Sequence, residues 1–84
     1  MSPPTLQQLV AFRAVARHGG FSAAADELQM SQPAVSQQIR TLEEQLGVML
    51  FERRPRGTVL SSSGEALLQF ALSTLDALDA FSIE

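Results

Sequence analysis

"SQPAVSQQIRTLEEQLG" (Ser31–Gly47) divides into two chemically different halves. Up to Arg40 it holds Gln32, Gln37, Gln38, Ser31, Ser36 and Pro33, with one cation and no acid; beyond it come Glu43 and Glu44. Val35, Ile39, Leu42 and Leu46 follow i, i+4, i+7, i+11, so on a helix they lie within about 60° of one another. Pro33, Gln37, Arg40 and Glu44 then point the opposite way, with Ser36 on the flank. Ser31 is a good N-cap, Pro33 sits where a missing N–H costs little, and Gly47 ends the helix. A helix with one buried stripe and an acid-free polar face over its first half needs a partner that rejects acids there.

Upstream, "TLQQLVAFRAVARHGG" reads as a first helix, with Leu6, Leu9, Phe12, Val15 and Ala16 at helical spacing. Thr5 is its expected cap, Arg17 and His18 suit its negative end, and Gly19-Gly20 stop it. "FSAAADELQM" predicts a short second helix capped by Ser22, with Asp26 and Glu27 near its start. Downstream, Val48–Arg53 and Thr58–Leu60 are rich in β-formers and flank Pro55-Arg56-Gly57, which predicts a small hairpin. Ser61 or Ser62 should cap a last helix over about residues 62–82, and Ser62-x-x-Glu65 fits a capping box.

That last helix is unusually apolar. Glu65, Gln69, Ser73 and Asp76 form one narrow polar stripe, widened by Thr74 and Asp79. Leu67, Leu68, Phe70, Ala71, Leu72, Leu75, Leu78 and Phe81 cover most of the rest, more than one small core requires. The simplest cover is the same helix of a second copy, which predicts a homodimer with Leu67, Leu68, Ala71, Leu72, Leu75 and Leu78 at the seam.

The bulk numbers exclude several classes. Eighty-four residues make one small domain. There is no cysteine and one histidine, His18, so neither disulfides nor a zinc site is expected, and no cofactor. No apolar run approaches a membrane span and no basic-then-apolar leader opens the chain, so no membrane role and a cytoplasmic setting are expected. Net charge is −3, yet it is segregated. Residues 1–60 carry six arginines against five acids, whereas residues 61–84 carry four acids and no base. Arg53, Arg54 and Arg56 crowd into the hairpin.

Two helices joined by a tight turn, the second with a polar outer face, suggest a helix-turn-helix with a recognition helix. The DNA major groove admits one helix and offers donors and acceptors that Gln, Ser and Arg can read, whereas acids there would face phosphates. Ser31, Gln32, Pro33, Ser36, Gln37 and Arg40 are therefore the expected contacts in the groove. Arg53, Arg54 and Arg56 would form a wing on the phosphate backbone.

Three segments carry a family resemblance: "LQQLVAFRAVARHGGFSAAADEL", "SQPAVSQQIRTLEEQLGVMLFERRPRG", and Ser61–Gly64 at the opening of the last helix. Through them, residues 5–68 resemble the N-terminal DNA-binding domain of a LysR-type transcriptional regulator. The resemblance implies a mostly α fold: a winged helix-turn-helix over 1–60, then a long linker and dimerisation helix over 61–84. It also implies an antiparallel dimer on an interrupted inverted-repeat operator. A small-molecule effector would bind only a C-terminal domain that this sequence lacks, as expected of a piece of a longer bacterial regulator. Ser61 stands where the family usually has threonine and Gly20 where serine is common; a serine can still cap.

Other readings compete at single positions. Ser31 and Pro33 also serve helix initiation. Arg40 could pair with Glu43 or Glu44 on its own helix. Arg53 could instead hold the domain together through Glu52 or a carbonyl. Arg13 and Arg17 complement the first helix, and His18 ends it. No glycine-rich phosphate loop or nucleophile–base arrangement supports an enzyme. The rival to DNA binding is a protein-interaction module built around the last helix, which leaves the arginine hairpin and the acid-free half-helix unexplained.

Overall fold

A computed structural model describes residues 3–81. In chain order these form α1 (Leu6–His18), α2 (Phe21–Leu28), α3 (Gln32–Leu46), β1 (Phe51–Arg54), β2 (Gly57–Leu60) and α4 (Ser62–Asp79). The mostly helical winged helix-turn-helix expected from the sequence is the fold observed.

Local chemistry starts each element. At α1, the Thr5 hydroxyl accepts from the Gln8 N–H at 3.1 Å, and the Gln8 side chain accepts from the Thr5 N–H at 2.9 Å, a reciprocal cap. Gln8 is itself buried and donates its amide to Gln45 of α3. At α3, Ser31 Oγ accepts from the Ala34 N–H and Pro33 occupies the first turn, as its sequence requires. The expected Ser22 cap is corrected, and of the two candidates at the last helix Ser61 is the cap. Extended Gly20, not Ser22, precedes α2; Ser22 lies inside the first turn and its hydroxyl donates to Gln32 across the turn at 3.4 Å. Ser61 caps α4 by accepting from the Gly64 N–H at 3.0 Å, so the Ser62–Glu65 box is out of register by one residue. The α2–α3 turn passes through Gln29 with φ at 56°, the one left-handed non-glycine among the described residues.

The first strand begins at Phe51 rather than Val48 because residues 49–50 are bonded elsewhere. The Leu50 N–H donates to Glu43 Oε2 at 2.8 Å, the Ser61 N–H donates to the Leu50 carbonyl at 2.9 Å, and Ser61 Oγ donates to the Met49 carbonyl at 2.6 Å. This stitch brings the start of α4 so close that a Cβ on Gly64 would lie 2.1 Å from the Leu50 carbonyl oxygen. Only glycine permits that approach. The antiparallel hairpin then pairs Phe51 with Leu60, Glu52 with Val59, Arg53 with Thr58 and Arg54 with Gly57.

One core serves the described residues. Phe12, Val15, Val35, Leu42 and Leu50 are its largest fully buried side chains, and Ala71 and Leu75 bring α4 into the same cluster. The end of the expected last helix, at residue 82, lies outside the described residues.

Candidate nucleic-acid interface

The stripe Val35, Ile39 and Leu42 is buried, with Leu46 partly buried beside it. That orientation leaves Gln32, Pro33, Gln37, Arg40 and Glu44 exposed and Ser36 half-buried. Ser31 is exposed while its hydroxyl caps the helix. Arg40 does not pair with either glutamate. Its Nη1 donates to Gln37 Oε1 at 3.0 Å, and Gln37 Nε2 donates to Thr41 Oγ1 at 3.1 Å. Gln37 and Arg40 thus form one linked polar unit on the exposed face, with donors and acceptors already aligned along the helix.

Glu43 has another task. By accepting the Leu50 N–H it ties the end of α3 to the chain entering the wing. Spacing along α3 gives no sign of this, because the partner lies seven residues on, beyond a left-handed glycine, Gly47 with φ at 72°.

The wing meets α3 at its root. A cavity of about 210 Å³ is lined jointly by Ser36 and Arg40 of α3, Met49 and Phe51 before and within β1, and Arg53. The three hairpin arginines are exposed but differently engaged. Arg54 Nη2 pairs with Glu52 Oε1 at 2.8 Å, Arg53 lies over the Phe21 ring at 4.7 Å from its centroid, and Arg56 has no ion pair among the described residues. Away from the hairpin arginines in sequence, Glu27 joins α2 to the end of α1, reaching His18 Nε2 at 2.7 Å and Arg17 at 3.4 Å. His18 and Arg17 are therefore helix-joining residues.

Of the six residues expected at a seam on α4, Ala71 and Leu75 are corrected: both are buried in the protein's own core. Leu67 and Leu68 pack partly against that core, while Leu72 and Leu78 are exposed. The most exposed large apolar residues of the helix and its end are Phe70, at 55%, and Phe81, at 82%, neither of them among the six seam residues expected from the sequence. Among the described residues no helix is long and apolar enough to cross a membrane.

A short helix, a tight turn, a helix with a buried stripe and polar face, and a hairpin carrying cations beside it define a winged helix-turn-helix DNA-binding domain. The model of the bacterial regulatory helix-turn-helix proteins of the lysR family matches residues 6–65. The chain belongs to that family.

Its relatives are transcriptional regulators. The transcriptional activator AmpR of Pseudomonas aeruginosa is 49% identical over 73 residues, covering 87% of this chain and 25% of AmpR. The RuBisCO operon transcriptional regulator of Allochromatium vinosum is 46% identical over 67 residues, covering 80% of this chain and 22% of that protein. The chain therefore spans about a quarter of the length of these curated relatives. Among solved structures, oxidized OxyR of Corynebacterium glutamicum superimposes with a TM-score of 0.89 at 46% identity, over 95% of this chain and 24% of that one. The DNA-binding domain of BenM bound to catB site 1 DNA gives 0.88 at 38% identity, over 92% and 86% respectively. The CbnR DNA-binding domain in its DNA complex gives 0.85 at 41%, over 90% and 87%.

Proposed function

We propose that this domain binds double-stranded DNA sequence-specifically as a homodimer, with α3 in the major groove and the wing on the backbone or in the adjoining minor groove. The observation that carries the reading is the exposed face of α3. Its first nine residues carry no acid, and its Gln37–Arg40 pair shares a cavity wall with the wing through Arg40 and Ser36. Gln37 and Arg40, with Ser36, read base edges; Ser31, Gln32 and Pro33 meet the groove at the N-terminal end of the helix. Arg54 and Arg56 meet phosphate. BenM and CbnR domains of the same fold have been solved with DNA.

The dimer reading rests on α4. Leu67, Phe70, Thr74, Leu78 and Phe81 recur at offsets of three and four, none is charged, and they flank the face that α4 buries internally. Two such strips packed together cover apolar surface that one chain leaves in water. A two-fold pair of recognition helices calls for an interrupted inverted repeat. In the longer regulator a separate C-terminal domain takes a small-molecule effector, and the protein works in the cytoplasm, where its DNA is.

Binding to duplexes selected from a randomised pool, measured at several salt concentrations, tests the reading. Affinity should fall steeply with salt as arginines release counterions. No binding at any salt, or a flat response, would leave an interaction module as the better account.

A further inference from the structure

A backbone rung joins β2 of the wing to the turn before the helix-turn-helix. Thr58 donates its N–H to the Gly19 carbonyl at 3.1 Å, in the α1–α2 turn. The preceding residue, Gly57, passes so near that a Cβ would lie 3.0 Å from that same oxygen. Thr58 is the register partner of Arg53. Across the rung, the Arg53 guanidinium covers the ring of Phe21, the first residue of α2.

Strand alternation explains why Arg53 differs from its neighbour. Phe51 and Arg53 share one face of β1, and Glu52 and Arg54 share the other. On the inner face Phe51 packs against Phe12 at 5.3 Å between centroids and meets Phe21 edge-on at 6.1 Å. Arg53 ends this row by closing over Phe21. A planar guanidinium suits that stacking in a way an ammonium does not. On the outer face Arg54 pairs with Glu52. Phe21 in turn moves with α3, because α2 packs on α3 and Ser22 bonds Gln32.

We propose that Arg53 is a positioning residue: it clamps the wing to the first helix of the helix-turn-helix and sets where Arg54 and Arg56 stand relative to α3. Arg53 spends its planar face on Phe21, and the cations that release counterions are Arg54 and Arg56. The inference rests on the DNA-binding reading, and wild-type binding to the selected duplex tests that reading first and separately.

The test is a double-mutant cycle on that duplex. Arg53→Ala and Phe21→Leu each remove the stack, and each should weaken binding by about two- to fivefold, the size of a partly exposed cation–π contact. The double variant should bind no worse than the weaker single one, and all three should keep the wild-type salt slope. Arg53→Lys keeps the charge and should resemble Arg53→Ala. The proposal is overturned if Arg53→Ala lowers the slope by about one unit, as loss of a phosphate contact would, or if the two effects simply add. Should Phe21→Leu fail to fold, Arg53→Lys decides alone: wild-type affinity refutes the clamp, and Ala-like affinity at unchanged slope supports it.

Discussion

α3 and α4 are both amphipathic helices bearing on one core, and they solve opposite problems with their outer faces. α3 buries Val35, Ile39 and Leu42 and turns amides, a serine and an arginine outward. α4 buries only Gly64, Ala71 and Leu75 and turns Phe70, Leu72 and Leu78 outward with its acids, with exposed Phe81 just past its end. A polar face whose first nine residues carry no acid is matched to a polyanion that offers hydrogen bonds. An apolar face is matched to another apolar surface, and water penalises it until that surface arrives. The same 3.6-residue period therefore encodes a nucleic-acid surface in one helix and a protein surface in the other, and only the residues beyond the buried stripe tell them apart.

The sharpest way to break that contrast is to place a charge on each side of α4. Leu75→Asp buries an unpaired carboxylate in the core, and an uncompensated buried charge costs about 3–5 kcal/mol. The chain should unfold, seen as loss of helical circular dichroism. Phe70→Asp puts the same charge on the exposed strip and should give a folded monomer by sedimentation, with weakened binding to a full two-half-site duplex. A Phe70→Asp dimer of wild-type stability would move the seam to another face.

Truncation sharpens the comparison without charge. Leu42 is fully buried, at 0% exposure, and Leu72 is 38% exposed. Leu42→Ala should cost about 2–5 kcal/mol in urea unfolding, the range for a leucine deleted from a packed core. Leu72→Ala should cost about 0.5 kcal/mol or less at protein concentrations where the chain is monomeric. Equal costs would mean that α4 draws as much from its outer face within one chain as α3 draws from its inner one.

On α3 itself the outer face should carry sequence information. A glutamine bonding adenine at two atoms discriminates by roughly 1–3 kcal/mol. Gln37→Ala should lose that much for the selected duplex while random DNA binds nearly as before. The same change releases Arg40, whose Nη1 is held by Gln37, so preference at a neighbouring base pair should relax as well. An unchanged ratio of selected to random affinity would shift the reading role to Ser36 or Arg40.

Much of this was legible from the chain alone, and the omissions have a common cause. The stripe Val35, Ile39, Leu42 and the caps Ser31 and Thr5 follow from spacing and side-chain chemistry within one helical turn or a few. Ala71 and Leu75 were misplaced because α4 is apolar on most sides, so its periodicity does not say which side meets α1. Glu43 stood as an acid at the far end of a helix and a possible partner of Arg40, whereas its bond to Leu50 depends on how the chain returns after Gly47. Gly64 stood out only within the Ser61–Gly64 segment that opens the last helix, and its need to be glycine comes from Leu50, fourteen residues away in sequence. Arg53 had an open structural alternative through Glu52 or a carbonyl, but Glu52 pairs with Arg54 on the other face of β1 and Arg53 covers the Phe21 ring, a partner 32 residues away in sequence. Local rules found what neighbours decide, and tertiary proximity decided the rest.

The smallest effect expected is at the wing's outer face, where Glu52 holds Arg54 at 2.8 Å with both side chains more than half exposed. Exposed pairs of this kind contribute about 0.2–1 kcal/mol, so breaking one should leave folding stability almost unchanged. DNA binding should respond in the opposite direction. Glu52 competes with phosphate for Arg54 and adds a negative charge near the backbone. Glu52→Gln should therefore tighten selected and random duplexes alike, by about two- to fivefold, the factor that freeing one such pair supplies. Arg54→Ala should weaken both by similar factors and lower the salt slope by about one unit. In the Arg54→Ala background Glu52→Gln should lose most of its effect, because the cation it frees is gone. If Glu52→Gln instead changes selected and random affinities unequally, the outer face of the wing reads groove shape rather than charge alone, since arginine in a narrow minor groove responds to A·T-rich sequence.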